Sequence, residues 1–203
     1  MRPLHIMPPL VWVDQYPFNY ESMKSYYDDL FSEENLKDKP YQPLMIGEAI
    51  TSYMSNKDKQ PSRQDHNKEY NKWLNDNLVN IFSTVYGYKS DMIRLIVTNS
   101  WSNRHKRSGK TEVHHHKTAD WVVNAYLKVP ENSGKLIIYP PNIDNNFGFE
   151  PSKIDVKTDD VIVFPAWLYH GTEVSESDED RINMSYNIKI DITSLDPHTG
   201  YLI

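Results

Sequence analysis

Phe164-Pro-Ala-Trp-Leu-Tyr-His170-Gly-Thr-Glu-Val174 and, a few residues on, Asp180-Arg-Ile-Asn-Met-Ser-Tyr-Asn187 decide how this chain of 203 residues is read. Each contains a short β-rich run. The first ends in a histidine and the second opens on an arginine, so an imidazole and a guanidinium are expected on neighbouring strands. The imidazole suits a metal, and the guanidinium suits a carboxylate of whatever the metal binds. Upstream stands His114-His-His116. In extended backbone residues i and i+2 share a face, so His114 and His116 are expected side by side with His115 turned away. Two imidazoles on one face and His170 from a later strand make the kind of nitrogen site that first-row transition metals favour. Taken singly, the His triplet also reads as a solvated loop, and His170 as a packed histidine. His5, His66, His105 and His198 lie in polar or terminal contexts and read as structural.

Around these runs the texture is β. Met92–Thr98, Trp121–Val129, Lys135–Tyr139, Asp160–Phe164 and Arg181–Ile192 are short apolar runs. They are separated by turn chemistry at Pro130–Gly134, Pro140–Asn142 and the acid-rich Ser175–Asp180, the last read as a hairpin turn. Strands at this spacing without intervening helices predict an antiparallel sandwich or barrel. The first ninety residues differ. Leu10–Val13 reads as a first strand, and Tyr20–Phe31 as a helix with Asn19 as N-cap and Glu21 in its first turn. Residues 32–64, broken by Pro40, Pro43 and Pro61, read as a connecting region. From Asp65 to Tyr86, Tyr70, Trp73, Leu74, Leu78, Ile81, Phe82 and Val85 recur at helical steps, with Gly87 as the stop. The expectation is an α+β jelly roll in one domain, 1–203, with 1–90 as helical support and connection and 91–192 as the β core.

Composition narrows the function classes. The 38% apolar content is low, but 12% aromatic residues supply buried area, and the length allows a real core. A net charge of −6 argues against general nucleic-acid or membrane-surface binding, both of which need a basic face. The absence of cysteine excludes disulfides, iron–sulfur clusters and thiolate zinc sites and fits a reducing interior. No signal-like or membrane-spanning run is present, so a soluble cytoplasmic protein is expected.

Read together, the pieces are more demanding: His114-x-His116, 53 residues, His170, ten residues, Arg181. The pattern resembles the Fe(II)- and 2-oxoglutarate-dependent oxygenases, most closely their small, prolyl-hydroxylase-like members. Their motifs stand here as Trp101-Ser-Asn103, His114-His-His116, Phe164-Pro-Ala-Trp-Leu-Tyr-His170 and Arg181-Ile-Asn-Met-Ser-Tyr-Asn187, over residues 92–190. The resemblance implies a double-stranded β-helix with the metal inside its open end. It implies His114, His116 and His170 as Fe(II) ligands, with Arg181 and Tyr126 holding the distal carboxylate of 2-oxoglutarate. The activity implied consumes O₂, converts 2-oxoglutarate to succinate and oxidises a C–H bond of an unknown primary substrate.

The chain departs from the usual pattern where histidine stands in place of the carboxylate ligand of the two-histidine–one-carboxylate site. Asp120 or Glu112 is the alternative source of that carboxylate. His114-x-His116-x-x-x-Asp120, with Gly109 before and Pro165 and His170 after, also resembles a diverged cupin motif, whose metal dioxygenases or isomerases need no 2-oxoglutarate. A non-catalytic jelly roll that binds a sugar or a protein is the third reading. Asn103-Arg-His-Lys-Arg107 reads as an exposed basic loop able to lie over the mouth of the site and receive an anionic substrate. The substrate and the oligomeric state, a homodimer included, stay open.

Overall fold

In a computed structural model, residues 11–36, 42–53, 57–139 and 150–192 are described. Leu10, the turn at 140–142, His5 and His198 lie outside them. The strands in chain order are β1 (Trp12–Gln15), β2 (Met45–Ile46), β3 (Ala49–Thr51), β4 (Ile93–His105), β5 (Lys110–Thr111), β6 (Trp121–Lys128), β7 (Leu136–Ile138), β8 (Ser152–Ile154), β9 (Asp160–Pro165), β10 (His170–Thr172) and β11 (Arg181–Ile192). The helices are α1 (Tyr20–Leu30), the single turn α2 (Glu33–Leu36) and α3 (Lys68–Tyr86).

The six-stranded sheet runs β1-β9-β6-β11-β4-β3, a three-stranded sheet runs β10-β7-β8, and β2 pairs with β5. From β6 onward the chain alternates between the two larger sheets: β6 in the first, β7 and β8 in the second, β9 back in the first, β10 in the second, β11 in the first. Every listed pairing is antiparallel. The Ser175–Asp180 segment is therefore a crossover between sheets and not a hairpin turn, because β10 pairs with β7 while β11 pairs with β4 and β6. Pro130–Gly134 crosses in the same way.

The helices form for legible reasons. Asn19 Oδ1 accepts from the Ser22 backbone N–H at 3.2 Å and caps α1. On α3, Tyr70, Leu74, Leu78 and Phe82 recur every four residues and are all buried. Gly87, at φ 72°, ends that helix in the left-handed region. Both helices lie on the outer face of the large sheet, against Trp121, Val123, Ala125, Leu127, Ile182, Met184, Tyr186 and Ile188.

Strand alternation then dictates what is inside the sandwich. On β11 the apolar residues 182, 184, 186 and 188 face the helices, so Arg181, Asn183, Ser185 and Asn187 face the space between the sheets. On β6, Val122 and Tyr126 share that inner face with Asn124. The inner space is thus divided. One part is an apolar core of Val122, Leu136, Ile138, Ile162, Phe164 and Leu168. The other is polar and open.

The helical layer is pinned by Phe82, whose ring meets Trp12 at 6.3 Å and Trp121 at 5.3 Å and is fully buried. Phe82→Ala should cost about 3–5 kcal/mol in urea unfolding. Val85→Ala, at the 43% exposed edge of the same helix, should stay within about 0.5 kcal/mol.

Candidate metal and anion site

The polar part of the interior is a cavity of about 370 Å³ between the two sheets, with Tyr53 and Trp101 among its lining residues. Three short stretches supply its histidines. His114 and His170 form a two-way backbone bridge, each N–H donating to the other's carbonyl at 2.9 Å. The His116 N–H donates to Ala166 O at 2.8 Å. These bonds lay 114–116 beside 166–170, so His114, His116 and His170 point into the cavity. His115 turns out onto Tyr169, ring to ring at 4.7 Å.

All three rings are oriented through Nδ1. His114 Nδ1 is 2.8 Å from Glu112 O, His170 Nδ1 is 2.9 Å from Leu168 O, and His116 Nδ1 is 2.6 Å from Asn187 Oδ1. Each of those oxygens only accepts, so Nδ1 carries the proton and Nε2 is left with a bare lone pair. One potential ligand atom from each ring lies within 4.8 Å of the others, a group able to hold a metal ion. His116 Nε2 is buried with no hydrogen-bond partner. Burial pushes all three imidazoles towards the neutral form that ligation requires, and their proximity adds to it. His116 is pushed down to about 4, and His170 lies well below its ordinary value.

No carboxylate among the described residues lines this cavity. Asp120 accepts from the Ile190 N–H at 2.8 Å, and the exposed Glu112 carboxylate pairs with Lys110 at 2.8 Å. Neither acid joins the histidines, so both are corrected as sources of a ligand. The cluster is an all-imidazole, formally neutral one.

Arg181 lies in the same cavity, at the start of the central strand β11, and is only 1% exposed. Nη1 donates to Ser133 O at 3.1 Å and Gly134 O at 2.8 Å. Gly134 sits at φ 81°, and a Cβ there would come within 2.7 Å of Glu173 O, so the carbonyl that receives Arg181 requires glycine. Tyr126 lies on the other side, its ring centroid 5.2 Å from the guanidinium carbon. Burial raises the Tyr126 phenol, which keeps it a neutral O–H donor although Arg181 opposes the shift. Arg181 Nε has no partner, and no described ion pair includes this residue.

Between the histidines and Arg181 runs an amide-rich shelf. Asn183 Nδ2 donates to Ser185 Oγ at 3.3 Å, and Ser185 Oγ donates to Asn124 Oδ1 at 2.7 Å. Asn103 Oδ1 is buried without a partner. Trp101 stacks on His116 at 5.5 Å, and Tyr53 stands edge-on to Trp101 at 4.9 Å.

Two expectations are corrected here. The basic stretch 103–107 is not a free loop over the mouth. Asn103, Arg104 and His105 belong to β4, and Arg107 forms a two-pronged pair with Asp178 at 2.6 and 2.8 Å. Asp180 lies 3.9 Å from Arg104 and 3.8 Å from Lys106, so the acidic crossover neutralises the basic stretch. His105 is not a polar-context histidine: it is 2% exposed and lines the cavity beside Arg181. Extending the β4 run through 105 would have found it, because 101, 103 and 105 then share the inner face.

Residues 99–187 match the family model described as "Putative 2OG-Fe(II) oxygenase". No curated protein sequence matches the chain. Among solved structures, a 2OG-Fe(II) oxygenase-family oxidoreductase from Burkholderia pseudomallei aligns at 15% identity and TM-score 0.49 over 63% of this chain. The chain spans just 57% of that protein's length. A Pseudomonas putida prolyl-4-hydroxylase aligns at 8% identity and TM-score 0.54, over 88% of this chain and 91% of its own. The non-heme alpha ketoglutarate dependent epimerase SnoN from nogalamycin biosynthesis aligns at 10% identity and TM-score 0.55, over 95% and 86%. The latter two likenesses establish the fold, a double-stranded β-helix carrying N-terminal helices. The family match runs from within β4 to within β11, less than half of the chain, and that stretch contains all three cavity histidines and Arg181.

Proposed function

We propose that the chain is a 2-oxoglutarate-dependent hydroxylase in which His114, His116 and His170 hold Fe(II) and Arg181 and Tyr126 hold the cosubstrate's distal carboxylate. The observation that carries this reading is one cavity with three imidazoles at one place and, at another, a buried guanidinium that meets no carboxylate among the described residues and whose Nε has no partner. Fe(II) bound with 2-oxoglutarate supplies the activation of O₂ that oxidises a C–H bond, with the cosubstrate leaving as succinate and CO₂.

The chain's own residues have definable tasks. Asn187, Glu112 O and Leu168 O keep Nδ1 of the three histidines protonated, so each ring presents Nε2. Arg181 offers Nε–H, and Tyr126 a phenolic O–H, to an oxyanion that neither has among the described residues. Trp101 and Tyr53 wall the metal end against water. The cupin alternative leaves Arg181 without a ligand. The binding-protein alternative leaves three tautomer-fixed imidazoles without a purpose. The same fold carries a prolyl-4-hydroxylase and an epimerase, so it does not select the primary substrate.

Residues 1–203 read as one unit, because β1 and β3 are built into the large sheet with β4, β6, β9 and β11. Among the described residues no helix is long and apolar enough to cross a membrane. A reducing, cytoplasmic setting suits both the cysteine-free chain and iron held as Fe(II).

Anaerobic titration with Fe(II) and 2-oxoglutarate, followed by succinate detection in air, tests the reading. We expect Arg181→Ala to lose 2-oxoglutarate binding by at least about a hundredfold, because truncation removes a charge-assisted clamp. Failure of the intact protein to bind 2-oxoglutarate in the presence of metal sinks the proposal. Asn187→Ala should weaken metal binding about 10–100-fold with the fold intact, measured by Co(II) titration.

The neutral histidines also predict a pH dependence in the metal-stripped protein. His105 is pushed down to about 3 and His116 to about 4, while unfolded histidines titrate near their ordinary value of 6.5. The unfolded state therefore binds more protons between about pH 6.5 and 4. Stability is complete above that window and falls as pH drops through it, by about 1.4 kcal/mol per unit for each such histidine. Urea midpoints at pH 7.5 and 5.0 in chelator should show the loss, and His116→Gln should flatten it.

A further inference from the structure

Arg181 has one flanking cavity residue that the proposed function does not use. His105 on β4 stands directly opposite Arg181 on β11 in the antiparallel register, so the two side chains share the inner face. His105 is 2% exposed, lines the same cavity, and its Nδ1 is buried without a partner. Its other nitrogen, Nε2, lies 2.8 Å from Thr111 Oγ1 on β5. Thr111 is itself fixed, its backbone N–H donating to Thr172 Oγ1 at 2.8 Å. Two unpartnered buried polar atoms, Nδ1 of His105 and Nε of Arg181, thus stand at one end of the cavity. Buried polar groups are ordinarily satisfied, and orphans that converge ask for a shared ligand.

We propose that His105, oriented by Thr111, is a further arm of the anion site, beside Arg181 and Tyr126. In this reading it binds the distal carboxylate of 2-oxoglutarate together with Arg181 and sets the preference for a dicarboxylic 2-oxo acid. The inference rests on the 2-oxoglutarate reading of the cavity. A carboxylate only accepts hydrogen bonds, so the ring must present an N–H to it. Thr111 makes this possible with the ring neutral: of the two acceptors near its one hydroxyl proton, Nε2 at 2.8 Å is nearer and stronger than Met45 Sδ at 3.7 Å, so the hydroxyl donates to Nε2 and the ring proton resides on Nδ1. An imidazolium at this place is disfavoured by burial and by Arg181. The arm therefore adds direction without adding a second positive charge, and the distal carboxylate is held from β4 as well as from β11 and β6. Arg181, already donating Nη1 to two carbonyls, and Tyr126 on β6 leave the β4 side of the carboxylate without a donor.

The test compares two ligands on the metal-loaded protein, under anaerobic conditions, by calorimetric titration. One is 2-oxoglutarate. The other is 2-oxopentanoate, which has the same oxo-acid end and a methyl group in place of the distal carboxylate. His105→Phe should weaken 2-oxoglutarate binding about tenfold or more, the scale of one lost charge-assisted hydrogen bond, and leave 2-oxopentanoate unchanged. Thr111→Val should show the same pattern more weakly. His105→Asn, whose amide N–H falls near the place of Nδ1–H, should keep most of the preference. Should His105→Phe not fold, the Thr111 and Asn variants decide the matter. Equal weakening of both ligands, or no change in their ratio, overturns the proposal and leaves a structural histidine. If Arg181→Ala abolishes the preference while the His105 and Thr111 variants retain it, the 2-oxoglutarate reading stands and the His105 inference falls. No binding of 2-oxoglutarate by the wild type overturns both.

Discussion

A guanidinium buried to 1% exposure, with no carboxylate among the described residues to meet it, is the constraint on which the rest of this structure turns. Taking such a charge out of water is expensive unless something compensates it. Part of the compensation is local. Two carbonyls of the Ser133–Gly134 crossover accept from Nη1, and Tyr126 places the face of its ring towards the cation. The remainder is left for a ligand. The crossover conformation, the glycine at positive φ and the placement of Tyr126 on β6 are all consequences of keeping this arginine inside.

That choice fixes the reversed patterning of β11. An interior strand in a sandwich ordinarily sends its apolar residues between the sheets, yet here the inter-sheet face carries Arg181, Asn183, Ser185 and Asn187. The apolar alternates, 182 to 188, need cover on the opposite face, and the N-terminal helices provide it. The helical layer is therefore the condition for a polar interior. Without α1 and α3, the large sheet would expose Ile182, Met184, Tyr186 and Ile188 to solvent.

Much of this was legible in the sequence, and the failures have physical causes. The helical periodicity of 70–82 and the stop at Gly87 are local signals, and they survive folding unchanged. The spacing of His114, His116 and His170 was legible because those side chains meet through short bridges between extended segments, while Arg181 enters the same cavity from β11. Strands such as β3, β5 and β10 were not legible, since two or three residues carry no period and form only when a partner strand offers hydrogen bonds. His105 was misread because β4 continues past an apolar half into Asn99–His105, where polar residues line a cavity rather than a surface. The acidic crossover at 176–180 and the basic 104–107 stretch looked like separate solvated features because their pairing is tertiary.

The all-imidazole cluster is intelligible on the same grounds as the arginine. A protein carboxylate among the ligands would place a permanent negative charge in a cavity that already offers a guanidinium, and the two would compete with the ligand for each other. Asn187 takes the position from which an acid could have oriented His116, and it does so with a neutral carbonyl. Among the described residues nothing supplies negative charge to the cavity, which leaves that part to a ligand. On the proposed reading a dianionic cosubstrate would meet that need at both places, with one carboxylate at the end held by the three histidines and one at Arg181. Metal and cosubstrate therefore complete each other's electrostatics, and by linkage each should tighten the other's binding by the same factor. On that reading the histidine where a carboxylate is usual is consistent with the rest of the site, because it makes metal retention depend on the presence of the cosubstrate.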